Sequence, residues 1–205
     1  MRRSRRPRPK TRRGFPPFVA AALARGAVGV IPTDTIYGVV ARALAPRAVA
    51  RVYKLRRRNP KKPFIILIHS ASALAAFGVA LDTSRRASRH GYRRAFLAEA
   101  WPGPVSVILP LAPRAAKKYA YLHRGTRALA FRVPADAALC TLLKKTGPLV
   151  APSANPEGEP PAKSIKEAEK YFGAGADFYV DAGRITGGAS SLIDLTGREP
   201  IVLRR

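Results

Sequence analysis

The sequence predicts an α/β domain built on a mixed sheet. Three observations carry this. Strand-like apolar runs alternate with helical patterns along the chain, with no internal repeat. Glycine and proline stand at the borders of those elements throughout, and no linker divides them, as in one folded unit. The last two strand candidates, "SSLIDLTG" and "EPIVLRR", are joined by a Thr-Gly-Arg turn, which adds an antiparallel pair to the sheet.

The elements follow in order. Residues 1–15 are assigned to a basic arm and residues 16–205 to the folded domain. "PPFVAAALARG" opens on proline and has Gly26 just past its end, the punctuation of a helix. "AVGVIPT" is a short buried strand stopped by Pro32. In "APRAVARVYKLRR", Val49, Val52 and Tyr53 recur at helical spacing, so Arg56 falls on their face and leans toward the body, while Arg57 points to solvent. "FIILI" is continuously apolar and β-branched, as a central strand is. "SASALAAFG" is a short helix with Ser70 as N-cap and Gly78 beyond its end. Residues 83–100 are helical with an interruption at Gly91, and "VSVILPL" and "RALAFRVP" are strands, the first ending at Pro110. Asp136 caps the helix "AALCTLLKKTG", and the strand "PLVAPSA" follows. Ser164 and Glu167 form a capping box at the start of "SIKEAEKYFG", and "DFYVDAG" leads to the closing pair.

Composition narrows the classes. The net charge is +26, and residues 1–13 hold eight Lys/Arg with no acid, so the remainder still carries +18 (26 less 8). Such a field attracts polyanions, RNA and nucleotides included, without specifying any of them. No apolar run is long enough to span a bilayer. The single cysteine, Cys140, excludes an intrachain disulfide and a cysteine metal cluster, and in "AALCTLL" it reads as a buried inert thiol. The start lacks the apolar core of a secretory signal, and its prolines oppose the amphipathic helix of a transit peptide, so a cytoplasmic location is expected.

Neither GxxxxGK[ST] nor GxGxxG is present, and His69, His90 and His123 are too scattered to suggest a metal site. Three hydroxyl-rich turns stand out instead. "VIPTDTIYG" offers Thr33, Asp34, Thr35 and Tyr37, "LVAPSANPEG" offers Ser153 and Asn155, and "GRITGGASSLIDL" offers Ser190 and Ser191. Ligands of α/β sheets collect where strands give way to loops, and hydroxyls, amides and glycine-exposed backbone N–H groups suit phosphates and carboxylates. The cationic helix end "KLRRR" supplies charge, although cations also suit a helix C-terminus on their own account. Tyr92, Tyr119 and Tyr121 beside basic residues are candidates for stacking on bases, with packing as the favoured alternative. The residues alone therefore point to a cleft of cations and hydroxyls for a phosphorylated or carboxylated ligand, and leave the reaction open.

Five collinear blocks then resemble the YrdC/TsaC family of threonylcarbamoyl-AMP synthases. "PTDTIYGV" (32–39) looks like PTDT-aromatic-GL, "RRRNPKKPF" (56–64) like KxRPxxKPL, and "WPGPVSVIL" (101–109) like WPGPxTxIL. "FRVP" (131–134) with "APSANPEGEPPA" (151–162) looks like the RxP and SANxSG blocks, and "GASSLIDL" (188–195) like the ST-apolar-DL strand. The resemblance implies a YrdC-like domain with a twisted, mostly open sheet flanked by helices and a large concave cleft. It implies synthesis of threonylcarbamoyl-AMP and pyrophosphate from L-threonine, bicarbonate and ATP, for the N6-threonylcarbamoyl modification of tRNA adenosine 37. Arg56 and Arg58 fall on the KxR pair that handles ATP phosphates and carbonate; their implied role is catalytic. Thr33, Thr35, Arg132 and Ser190 fall on threonine and bicarbonate positions. Ser106, Ser153, Asn155 and Arg204 fall on nucleotide positions, with Lys54 as the lysine of a shifted register. Mg²⁺ is implied as the counter-ion of ATP, held by no protein carboxylate cluster, and tRNA or a tRNA-modifying transferase as the downstream partner. The chain departs from the family at Arg56 (lysine in KxR), Glu157 (serine in SANxSG) and Ser106 (threonine). The length implies the short type without a further C-terminal domain. The alternative is a YrdC-like RNA-binding module without synthase activity; carbamoyl-adenylate chemistry on another substrate is the third reading.

Overall fold

The computed structural model describes residues 14–79, 91–197 and 199–205. Its strands are β1 (Gly29–Ile31), β2 (Gly38–Arg42), β3 (Ile65–Leu67), β4 (Val105–Pro110), β5 (Ala128–Arg132), β6 (Leu149–Val150), β7 (Phe178–Tyr179), β8 (Ser191–Asp194) and β9 (Ile201–Arg204). They form one sheet in the order β7-β1-β2-β6-β3-β5-β4-β8-β9. Parallel pairs (β1 with β7, β3 with β5, β4 with β8) mix with antiparallel ones, so the expected mixed α/β architecture is present. The α-helices are α1 (Pro17–Ala24), α2 (Pro46–Leu55), α3 (Gly91–Ala100), α4 (Pro113–Lys118), α5 (Ala120–His123), α6 (Ala137–Thr146) and α7 (Ile165–Phe172). Proline opens α1, α2 and α4, where its missing N–H deprives no helical acceptor.

Side chains alternate between two apolar layers. Val39, Ile66, Val107, Leu109, Leu129 and Phe131 point to a large core shared with α2, α3 and α7. Val40, Leu67 and Leu149 point the other way, where Leu139, Leu142 and Leu143 of α6 and Val19 and Leu23 of α1 cover them. Phe15 already packs against this second layer. The α1–α6 pair covers only the half of the sheet around β1, β2 and β6. On the same face β5, β4 and β8 carry no helix, and a hollow remains.

Several local readings shift. Asp136 caps α6 by accepting the Leu139 N–H at 2.7 Å. Ser164 accepts the Glu167 N–H at 3.3 Å, but the Glu167 carboxylate takes the Lys163 N–H at 2.8 Å, one residue short of a true capping box. Ser70 makes no cap; its hydroxyl meets that of Ser72 at 2.7 Å, and Ala71–Phe77 wind as a 3₁₀ turn ending at Gly78, φ 67°. Strand β2 and helices α4 and α5 are additions to the expected elements, and residues 83–90 of the expected long helix, with His90, lie outside the described residues. Cys140 is half-buried and not fully enclosed, its thiol on the Pro134 carbonyl at 3.3 Å. His123 is a satisfied core residue, with Nε2 on the Ala116 carbonyl and Nδ1 accepting the Gly125 and Arg127 N–H groups. The hydroxyls of Tyr119, Tyr121 and Tyr92 bond to the carbonyls of Ala76, Ala43 and Gly197, so these rings serve packing. No helix of the described residues is long and apolar enough to cross a membrane.

Candidate active site

The hollow is a cavity of about 590 Å³, inside the roughly 300–1,000 Å³ typical of small-molecule sites. Its floor follows from sheet register. Ile65 of β3 lies beside Ala130 of β5, which lies beside Ile108 of β4, which lies beside Asp194 of β8. Paired residues share a face, so these four side chains meet the same space. The alanines at 128 and 130 leave depth where their neighbours Leu129 and Phe131 fill the opposite core.

Three turns rise around this floor: Thr33 and Thr35 after β1, Ser153 after β6, and Ser190 before β8. Their proximity is built in. The Thr33 hydroxyl donates to the Ile36 carbonyl (2.6 Å) and accepts the Thr35 and Ile36 N–H groups (3.2 Å each), closing the turn on itself. The buried Tyr37 hydroxyl donates to the Gly183 carbonyl at 2.7 Å and accepts the Ala182 N–H at 2.9 Å, anchoring the start of the chain that leads to Ser190. A Cβ at Gly187 would run into the Thr35 carbonyl oxygen, so only glycine lets the third turn close on the first.

The cations come from four places. Helix α2 ends in a Schellman pattern: the Arg58 N–H returns to the Tyr53 carbonyl (3.0 Å), the Arg57 N–H to that of Lys54 (3.1 Å), and Arg57 adopts φ 49°. Arg57 is thereby thrown outward and exposed, while Arg56 and Arg58 turn to the cavity. Arg56 is 2% exposed. Its Nε donates to the Asn155 carbonyl (2.7 Å), and Nη2 to Ser153 Oγ and Asn155 Oδ1 (3.2 Å each). Burial first, then the neighbouring Arg58, pull its guanidinium down to about 10, with Glu157 opposing them. Arg132, on the cavity face of β5, pairs through Nη1 with Asp34 and donates through Nη2 to Thr35 Oγ1 at 3.3 Å. Arg204 of β9 donates through Nε to the Ser190 carbonyl at 3.0 Å, and burial followed by the fields of Arg132 and Arg58 lowers its pKa. Lys61 and Lys62 complete the cationic lining, against Asp194.

Two of these groups are left wanting. Arg58 and Arg132 each keep a buried Nε–H with no hydrogen-bond partner. Arg93 and Arg124, which do not line the cavity, share this condition, so it is the concentration of cations and hydroxyls around the hollow that suits an anion.

Of the residues singled out in the sequence, Thr33, Thr35, Arg56, Arg58, Arg132, Ser153, Ser190 and Arg204 all line this cavity. Asn155 lies behind Arg56, its amide N–H groups donating to the carbonyls of Pro156 and Glu159. Ser106 is fully buried beneath Ser190, their hydroxyls 2.9 Å apart, and does not line the cavity itself. Lys54 is not brought to this cavity: it lies on the exposed face of α2 and lines a separate groove with Tyr171 and Lys170 of α7, because a residue two before Arg56 on a helix faces away from it. Asp34, offered by the first turn, and Lys62, which lines the cavity, find partners far away in the chain, Arg132 and Glu157. Among the described residues no three His, Cys, Asp or Glu side chains converge to hold a metal ion.

The Sua5/YciO/YrdC family model, described as "Telomere recombination", matches residues 21–205. A threonylcarbamoyl-AMP synthase of Halorhodospira halophila is 32% identical over 189 residues, 91% of this chain and 92% of that one. Another, of Chromohalobacter salexigens, is 36% identical over 157 residues, covering 75% and 77%. The structure of Pyrococcus abyssi Sua5 complexed with L-threonine matches with a TM-score of 0.76 at 29% identity; the match covers 91% of this chain and 52% of that protein, so this chain spans about half its length. E. coli YciO, at 21% identity and a TM-score of 0.75 over 92% of this chain and 87% of its own, shares the fold. The chain belongs to the Sua5/YciO/YrdC family.

Proposed function

We propose that the chain is a threonylcarbamoyl-AMP synthase, a nucleotidyltransferase that joins L-threonine, bicarbonate and ATP and releases pyrophosphate. The observation that carries this is one cavity lined by Arg56, Arg58, Lys62, Arg132 and Arg204 together with the hydroxyls of Thr33, Thr35, Ser153 and Ser190, in which Arg58 and Arg132 keep Nε–H groups without partners. A substrate set with a triphosphate, a bicarbonate and an amino-acid carboxylate supplies the missing acceptors. The threonine amine condenses with bicarbonate to a carbamate, losing water; a carbamate oxygen attacks the α-phosphorus, and pyrophosphate leaves with the electron pair. No side-chain nucleophile is required, and the chain's task is to position the reactants and stabilise developing charge. Arg56, Arg58 and Lys62 are assigned to the phosphates. Arg132, aligned by Asp34, is assigned with Thr35 to the threonine carboxylate. Ser153 and Arg204 are assigned to the nucleotide, Ser190 to threonine or bicarbonate, and Mg²⁺ arrives with ATP as its counter-ion.

The product's mixed anhydride makes it an acyl donor, and transfer to tRNA adenosine 37 in the cytoplasm, with a transferase as partner, is the destination inferred for it. Incubation with Mg-ATP, L-threonine and bicarbonate tests the reading. Pyrophosphate release that requires both threonine and bicarbonate supports it; release indifferent to either, or none at all, overturns it.

A further inference from the structure

We propose that Glu157 is a positioning residue, the counter-charge that holds the cationic loop 56–62 in the shape that receives a polyphosphate. Five cations, Arg56, Arg57, Arg58, Lys61 and Lys62, crowd into seven residues. Among the described residues, Glu157 is the only carboxylate within ion-pair distance of any of them. It grips the loop at four points. Its N–H donates to the Arg56 carbonyl (2.8 Å), Oε2 accepts the Asn59 N–H (2.5 Å), Oε1 accepts from Lys62 Nζ (2.6 Å), and Arg58 Nη1 stands 4.0 Å away. Arg56 reaches back the other way to Ser153 and Asn155, so the two loops are laced in both directions.

The opposite side of Arg58 is also held. Its guanidinium lies 5.8 Å from the Phe64 ring centroid; Phe64 stacks on Tyr53 at 4.0 Å, and Arg124 covers Tyr53 at 4.2 Å. Arg58 is thus set between an apolar stack and a carboxylate, lines the cavity, and keeps its Nε–H without a partner. A serine at 157 has neither the reach nor the charge for these contacts. Without the carboxylate, Lys62 and Arg58 repel each other and Arg56, and the Asn59 turn loses its tie. The identity of the anion rests on the synthase reading; the role of Glu157 rests on the loop geometry alone.

Calorimetric titration of the full chain with inorganic pyrophosphate, and separately with Mg-ATP, compares wild type, E157Q and E157D without threonine or bicarbonate. The expected result is about tenfold weaker pyrophosphate binding for E157Q, equivalent to about 1.4 kcal/mol, with the E157D value close to wild type. Raising the salt concentration narrows the ratio between E157Q and wild type, because screening weakens the repulsion that the carboxylate offsets. In turnover, KM for ATP rises while kcat holds. Equal or tighter binding by E157Q means the carboxylate merely competes with the ligand, and overturns the proposal. So does E157D binding about tenfold more weakly than wild type, a comparison that remains readable if E157Q fails to fold. A wild type that binds both probes yet releases no pyrophosphate ends the synthase reading and leaves this one standing; a wild type that binds neither ends both.

Discussion

Replacing Arg56 with lysine, the residue found in the KxR block, isolates what the buried guanidinium does. The fork now makes three hydrogen bonds, at 2.7, 3.2 and 3.2 Å, to Asn155 and Ser153. An ammonium is a point donor and cannot span both, so at least one buried acceptor loses a charged partner, at about 1.5–3 kcal/mol. R56K should therefore unfold at a lower denaturant concentration by about 2 kcal/mol near neutral pH. Its pH profile separates this from simple loosening. Burial and Arg58 lower the guanidinium from 12.5 to about 10. The same surroundings act on a lysine whose ordinary value is about two units below that of arginine. On the proposed assignment of residue 56 to the phosphates, the variant's alkaline limb in KM for ATP should begin about two pH units below the wild type's, as the cation there is neutralised. Stability moves the other way. A cation whose folded pKa is lowered destabilises the fold below that value, and the cost is relieved as pH rises through it. Relative to wild type, R56K should thus gain stability over the window in which it loses affinity. Pyrophosphate release and denaturant unfolding, both measured from about pH 7 to pH 9.5, read the two trends. KM profiles that superimpose, or a variant as stable as wild type, would refute the reasoning.

Three further outcomes are expected. D34N removes one partner of the Asp34–Arg132 pair, whose side chains are 8% and 4% exposed; stability should fall by about 3 kcal/mol and KM for threonine should rise, as thermal melts and initial rates will read. S190A leaves the buried Ser106 hydroxyl without its 2.9 Å partner, costing about 1–3 kcal/mol; S106A/S190A should cost less than the two single changes together, and additive values in a double-mutant cycle would deny the pair. The Glu157 carboxyl is held down to about 2 by the Lys62 and Asn59 hydrogen bonds, against an ordinary 4.5. Its contribution is therefore complete above the ordinary value and lost as pH falls toward about 2, so the stability gap between wild type and E157Q should close across that interval in acid denaturation.

The sequence discloses what local rules control. Proline, glycine and Asp136 mark helix ends that the structure keeps, and the spacing of Val49, Val52 and Tyr53 predicts the burial of Arg56. The three hydroxyl turns are recognisable because strand ends concentrate small polar residues. Strand β2 escapes notice because "GVVAR" offers only three apolar residues between Gly38 and Arg42, too short a run to read as a strand. Helices α4 and α5, of six and four residues, are too short for their stripe of Ala116, Tyr119 and Leu122 to be read. The Schellman end of α2 carries no glycine; Arg57 holds the left-handed position, which costs roughly 1–2 kcal/mol and hides the turn from sequence. Long-range pairing is the largest gap. Asp34 meets Arg132, and Glu157 meets Lys62, across 98 and 95 residues of chain, and only the folded sheet decides such partners.

Strand β9 bonds to β8 alone, and Ile201, Val202 and Leu203 are each more than half exposed. Arg204 nevertheless sends its guanidinium from this strand into the cavity. One wall of the site therefore belongs to the part of the sheet most prone to breathing, since an outermost strand opens without disturbing the interior. Fraying at β9 withdraws a cation while the fold stays intact, and a ligand that engages Arg204 must hold the strand closed. If nucleotide engages Arg204, amide hydrogen exchange should slow across residues 201–204 as a whole, and not at that one residue alone. The rim of the sheet then reports on occupancy of its middle.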